Sequence, residues 1–340
     1  MKKQDRGLFD EELRLRDISK LGDPLEKLNT YINWEEFRKP LEELFKNENP
    51  EKGGRPRFDV ILMFKILVLQ QMNDLADDKM EFMIKDRLSF QRFLGLGLQD
   101  TVPDSKTIWF FREQLTKAKA FNKIFNKYTN KLEQSGLIAK KGIIIDATIS
   151  EVPKQRNSKD ENKQIKQGKI PEKWNENPDK LSQKDTNARW YKKNGKDYFG
   201  YKNHIKIDNK SKLILNAIVT TASIHDSQAL ESLLSKKDKN QKIYADSAYT
   251  GIKQESTINK FKLINRVHEK GYRDRPLTKK QFENNKRKSR TRARVEHIFA
   301  QLQRNLGGKL LRCIGIARAE SILHLKNLIY NMQRNIYLVS

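Results

Sequence analysis

Three acids far apart along the chain, Asp146, Asp246 and Glu296, offer the most pointed chemistry in this sequence. Asp146 closes the apolar run Lys141-Gly142-Ile143-Ile144-Ile145-Asp146, which reads as a short strand buried on both faces. Asp246 closes a second run beginning at Gln241. An open α/β sheet presents its site at strand ends, and the order of elements makes these two strands neighbours. Two carboxylates on adjacent strand ends repel each other unless a divalent cation neutralises them. Hard oxygen ligands of that kind suit Mg2+ or Mn2+. Glu296 is the expected third ligand. It lies beside the apolar stripe Val295, Ile298, Phe299, Leu302 and Leu306, with Arg292 at i−4 and Gln303 at i+7 on its own face. Three carboxylates holding two ions match in-line phosphoryl transfer, one ion activating the attacking water or 3′-hydroxyl and the other stabilising the leaving oxygen.

Each acid taken alone has a plainer reading. Asp146 could cap a turn, and Asp246, followed by Ser-Ala-Tyr-Thr-Gly, could cap the start of a helix. Arg292 and Glu296 could form a surface i,i+4 pair worth about 0.3–0.5 kcal/mol. The specificity lies in the combination.

The elements that must position these acids fall in two parts. Residues 1–135 read as helical. Caps are predicted at Asp23 (before Pro24), at Asn33 with Glu36, at Asp59 and at Asp104 or Ser105, with Gly136 ending the last helix. The period changes at 137. A strand to Asp146 is followed by strand candidates Tyr198–Asp208 and Leu213–Thr221 about an Asp208-Asn209-Lys210 turn. A helix from Asp226, the strand ending at Asp246, a further strand over 262–267 and helices to the C-terminus complete the order. Residues 136–340 are therefore expected to form an α/β catalytic domain of RNase H-like type, a mixed sheet flanked by helices, beside an N-terminal all-helical domain of DNA-binding or assembly type. The segment 154–196, with 13 Lys/Arg against 6 Asp/Glu, reads as an exposed basic insertion.

Composition narrows the class. The 340 residues carry a formal charge of +26, which points to a polyanionic partner, usually nucleic acid. One cysteine, Cys313, excludes a disulfide framework and a cysteine-rich zinc site. No apolar run approaches the roughly 20 residues of a membrane span, and the N-terminus has no secretory h-region. A cytoplasmic protein with no membrane partner is the expectation.

Several segments together resemble the DDE transposases of bacterial insertion sequences, in particular the group called the fifth insertion-sequence family. They are Asp146-Ala147-Thr148, Ala188-Arg189-Trp190, Tyr198 to His204, His225-Asp226-Ser227, Ala245-Asp246-Ser247-Ala248-Tyr249-x-Gly251 and Arg292-x-x-Val295-Glu296-His297-x-Phe299. The resemblance extends forward through Phe90–Leu94 and Pro103–Arg112 and covers roughly residues 30 to 335. It implies that Asp146, Asp246 and Glu296 are the catalytic triad and that Arg292 belongs to the signature about the glutamate. Two positions depart from it. The lysine often found seven residues after the glutamate is Gln303 here, with Arg304 next to it but about 100° round the helix. The tyrosine of related families seven residues before the glutamate is Ser289.

By that reading the chain binds double-stranded DNA, both the terminal inverted repeats of its element and the target. It cleaves at the ends and joins the freed 3′-hydroxyl to target DNA, as a homodimer or larger synaptic assembly. Expected DNA contacts are Lys106 and Arg112 on the helix from Ser105, Lys192 and Lys193 in the insertion, Lys202, and Arg290, Arg292, Arg294 and Arg304 in and after the second basic run, 270–294. Trp174, Trp190 and Tyr191 either stack on splayed bases or simply pack. Gly53-Gly54-Arg55-Pro56-Arg57 reads as a linker, with a minor-groove arm as the other possibility. Asp226 is expected to be a helix N-cap and His204 a packed or hydrogen-bonded histidine. Two rival functions remain at this point: a purely hydrolytic metal nuclease on the same fold, and a non-catalytic DNA-binding protein derived from a transposon.

Overall fold

A computed structural model describes residues 7, 9–45 and 56–340 of the chain. Residues 53–55 of the Gly-Gly-Arg-Pro-Arg segment lie outside it. The chain divides into two compact units, Met1–Ala120 with Val339–Ser340, and Phe121–Leu338. Among the described residues no helix is long and apolar enough to cross a membrane.

The first unit is helical. Its centre is the helix Val60–Asn73, in which ten of fourteen side chains are apolar and most are buried. Asp59 starts it by accepting hydrogen bonds from the amides of Ile61 and Leu62. Asp23 and Asp104 cap their helices in the same way, through Leu25 and Thr107. Trp34, Phe37, Phe64 and Phe93 pack on one another with ring centroids 5.3–6.3 Å apart, a range in which edge-on aromatic contacts add to area burial.

The second unit is built on a six-stranded mixed sheet. Its strands are β1 (Ile143–Glu151), β2 (Arg189–Lys193), β3 (Lys196–Asp208), β4 (Ile214–Thr221), β5 (Lys242–Tyr244) and β6 (Ile264–Asn265). Strand order is β2-β3-β1-β5-β6, with β4 also paired to β3. β1, β2 and β4 all run antiparallel to β3, whereas β5 is parallel to β1 and β6 to β5. The antiparallel start and parallel continuation of the RNase H-like expectation are both present.

Period-two alternation sorts the side chains of β1. Ile143 and Ile145 face one core, with Leu230, Leu233, Ile243, Tyr249 and Ile258. Asp146 and Thr148 fall on the other face. The C-terminal helix Ile316–Val339 docks on the sheet through asparagines. Asn331 accepts from the Ile214 amide at 2.9 Å and donates to the Ile214 carbonyl at 2.8 Å, satisfying both backbone groups as a strand would. The Asn203 and Asn327 amides pair at 3.1 Å.

β2 was not expected from the sequence. It forms a hairpin with β3 about Asn194-Gly195, both with positive φ, as a two-residue hairpin turn requires. The insertion also has a small core of its own. Trp174 is fully buried there and its indole N–H donates to Glu161 at 2.6 Å. Of the two readings of Trp174, stacking on bases or packing, the buried ring takes the second.

Candidate active site

Asp146 sits in the middle of β1, not at its end as the sequence reading had it. β1 continues to Glu151 because β3 pairs with it throughout, at Ile205 opposite Asp146 and at Gly200 opposite Glu151. The parallel neighbour β5 pairs only with Ile143 and Ile144. Asp146 thus lies two residues past the last β1–β5 pair, where the short strand has ended beside the long one. Asp246 follows β5 by two residues and caps the turn Ser247–Tyr249, accepting from the Ala248 amide at 2.9 Å. The capping reading holds and β5 is the parallel neighbour of β1 as expected, but Asp246 lies beyond the strand rather than closing it, because β5 pairs only as far as Tyr244.

Glu296 projects from the helix Arg294–Arg304, which buries Val295, Ile298 and Leu302. The preceding helix, Lys279–Arg292, ends at Arg292. The Arg292 guanidinium donates through Nη1 to Asp146 Oδ2 at 2.6 Å and through Nη2 to Glu296 Oε1 at 3.1 Å. One cation thereby links two acids separated by 150 positions. Gln303 adds a second tie, donating to Thr148 Oγ1 at 2.9 Å. The residue that departs from the family lysine therefore fastens the Glu296 helix to β1, two residues beyond Asp146.

Burial, the largest influence, pushes the Asp146 carboxyl up to about 6; the Arg292 charge opposes it and the Asp246 charge adds to it. Three carboxylates, Asp146, Asp246 and Glu296, stand against the one Arg292 guanidinium. The hydroxyl of Tyr249, buried and without a hydrogen-bond partner, lies within the field of Asp146, Asp226 and Asp246. Hard carboxylate oxygens with residual negative charge fit a divalent cation. Among the described residues, however, no three His, Cys, Asp or Glu side chains are already gathered about a common point.

Two histidines adjoin the acids. His268 donates its amide to the Ala245 carbonyl at 3.1 Å and its ring lies 3.3 Å from Ser289 Oγ. Burial, Arg292 and Lys288 hold its pKa below the ordinary value. No spacing in the sequence signals it, since the contact depends on β6 pairing beside β5. His204, opposite Ala147, is buried and bonded to Thr220 Oγ1 at 2.8 Å, as expected. Burial lowers its pKa from 6.5 to about 4. The unfolded chain thus binds a proton more readily than the folded one between those values. His204 contributes stability that is complete above pH 6.5 and lost as pH falls towards 4, about 3 kcal/mol in all. Asp146, with its raised value, works in the opposite sense between about 4 and 6. Urea midpoints measured from pH 7.5 to 4 should therefore fall less steeply for His204→Gln than for the parent; equal slopes would remove this role.

The family model described as Transposase DDE domain matches residues 138–332, more than half of the chain, and one described as Transposase domain (DUF772) matches residues 13–114. The chain belongs to the DDE transposases. A cryo-EM structure of the piggyBac transposase synaptic complex with hairpin DNA aligns at 12% identity and a TM-score of 0.41, over 92% of this chain and 75% of that one.

In this transposase the basic residues expected to meet DNA divide into two groups. Lys106, Lys192, Lys193, Arg290 and Arg304 are exposed. Arg294 is exposed and bonded to Asn209. Arg112 lies instead in an internal fork on Asp77, at 2.6 and 2.7 Å, and also reaches Gln70. Lys202 is buried, bonded to the Ile224 carbonyl and paired with Asp226, both at 2.8 Å, with the Tyr191 ring 4.0 Å away. Asp226 is accordingly the partner of a buried lysine, and the cap of its turn is His225. A lysine placed that deep requires a counter-charge more than a helix terminus requires a cap.

Proposed function

We propose that this transposase cleaves DNA at the ends of its own element and joins the freed 3′-hydroxyl to target DNA, with Asp146, Asp246 and Glu296 as the catalytic acids. The supporting observation is the bridge from Asp146 through Arg292 to Glu296, beside an Asp246 that follows the neighbouring parallel strand. The three carboxylates would hold Mg2+ or Mn2+, in a pair as the reaction type implies. Such ions lower the pKa of bound water or hydroxyl and neutralise charge on the leaving oxygen. Asp146 and Asp246 provide the fixed platform, held by the strand and the capped turn. Glu296 arrives on a helix fastened by Gln303.

In the first step, water attacks the phosphorus at the element end, a P–O3′ bond breaks and a 3′-hydroxyl is released. In the second, that hydroxyl attacks a target phosphodiester. One P–O3′ bond forms and one breaks, so no energy source is needed. Exposed Lys192, Lys193, Arg290 and Arg304 track phosphates, and the N-terminal helical region binds the terminal inverted repeats. Assembly of two ends in a dimer or larger complex, at the nucleoid in the cytoplasm, completes the reading. Incubating precut end duplexes with Mg2+ and a target plasmid should give joined product. Cleavage of uncut ends with no joined product would favour the hydrolytic nuclease.

A further inference from the structure

Arg292 occupies an unusual position for a residue beside acids that are to bind cations. Its two terminal nitrogens each hold a different carboxylate, Asp146 and Glu296, and its Nε is buried with no partner. Arginine stays protonated at any working pH. Its charge therefore cannot leave these acids by loss of a proton; the side chain itself must move. The surroundings permit that. The side chain is about one-fifth exposed and Glu296 about three-fifths. Arg292 is also the last residue of one helix, with the next beginning at Arg294. A phosphate is the partner best able to take it, since it accepts two guanidinium N–H bonds in the same forked geometry as a carboxylate.

We propose that Arg292 is a resident counter-cation that competes with divalent ions for Asp146 and Glu296, and that bound DNA draws it off those acids. This rests on the three-acid reading above. Linkage then requires DNA and metal each to strengthen the binding of the other. The acids are handed over only when a phosphate is at hand, which confines ion binding, and so cutting, to the DNA-loaded enzyme. Arg292 is a positioning residue here: it holds Glu296 towards Asp146 until the ion takes over.

Mn2+ binding to the full-length protein, followed by electron paramagnetic resonance of the free ion at fixed ionic strength, tests this without any turnover. With no DNA present, Arg292→Gln should bind Mn2+ about tenfold or more tightly than the parent, within the usual range of coupling between sites. Arg294→Gln removes the same charge two residues away, from a side chain bonded to Asn209, and should change affinity less than about threefold. Arg292→Lys, which reaches only one acid at a time, should fall between. Adding an end duplex should tighten Mn2+ binding in the parent and do so less in Arg292→Gln. If Arg292→Gln binds Mn2+ no better than the parent, or no better than Arg294→Gln, competition is ruled out. Asp246→Asn in the Arg292→Gln background separates the two levels. Loss of Mn2+ binding there supports the three-acid site whatever Arg292 does, and unchanged binding overturns the site and the competition together.

Discussion

Replacing Asp146 or Asp246 by asparagine, or Glu296 by glutamine, is expected to lower both end cleavage and strand joining by about 10³-fold or more. The magnitude follows from the several kcal/mol that carboxylate-held ions contribute to charge stabilisation in phosphoryl transfer, at 1.36 kcal/mol per factor of ten. The three changes should differ in stability, and that difference makes the test sharp. Asp146 is buried and its carboxyl is held at about 6, so its ionised form is strained at neutral pH. Asp146→Asn should therefore unfold no earlier than the parent, and Glu296→Gln, at an exposed position, should unfold with it. Asp246→Asn keeps an oxygen for the Ala248 amide and so preserves the cap. Gel-shift affinity for end DNA should survive in all three, because the exposed basic residues are untouched. Joining activity within tenfold of the parent in any variant would remove that acid from the reaction. Unchanged activity in all three would leave the non-catalytic DNA-binding reading in place.

The sequence made the element order of the second unit and the adjacency of the strands leading to Asp146 and Asp246 legible for one physical reason. Both are written in local pattern: apolar runs of strand length, and caps at the turns. What it could not reveal depends on pairing across long separations. Asp146 looked like a strand end because the apolar run stops there, yet β3 holds β1 as a strand for five further residues. Lys202 and Arg112 looked available to DNA because nothing local marks a lysine as Asp226's partner or an arginine as Asp77's. Gln303 read as a lost lysine, and its bond to Thr148 crosses 155 positions. β2 is a different case. Lys193-Asn194-Gly195-Lys196 is the strongest short-range hairpin signal in the chain, and the surrounding lysines hid it by making the whole segment resemble a solvated insertion. Charge on an edge strand is itself a protection against unwanted pairing, so basic composition and strand are compatible there.

Gly200→Ala should cause the largest loss of stability of any single methyl added to this sheet. Gly200 lies where β3 changes neighbours: opposite Glu151 of β1 and Arg189 of β2, with its carbonyl accepting from the Ala222 amide. Its φ is +155°. A Cβ there would fall on the carbonyl oxygen of Ser150, with Glu151 Cα at 3.0 Å and Val152 N at 3.1 Å. All three obstacles are backbone, so no side chain can swing aside. Overpacking and the unfavourable φ together should cost about 3–5 kcal/mol, lowering the melting temperature of the second unit on the order of 10 °C. Gly195, in the hairpin turn, is the control. Its φ is +77° and nothing lies within 4 Å of a Cβ built there, so Gly195→Ala should cost only about 1 kcal/mol. The functional consequence follows from position. The part of β1 that Gly200 abuts begins two residues past Thr148, to which Gln303 fastens the Glu296 helix. If Gly200→Ala folds, it should lose joining activity at temperatures well below its own melting point, while Gly195→Ala keeps it. Equal melting temperatures for the two variants would mean that β1 and β3 can separate at this crossing without cost, and that the close approach is not what fixes the register around Asp146.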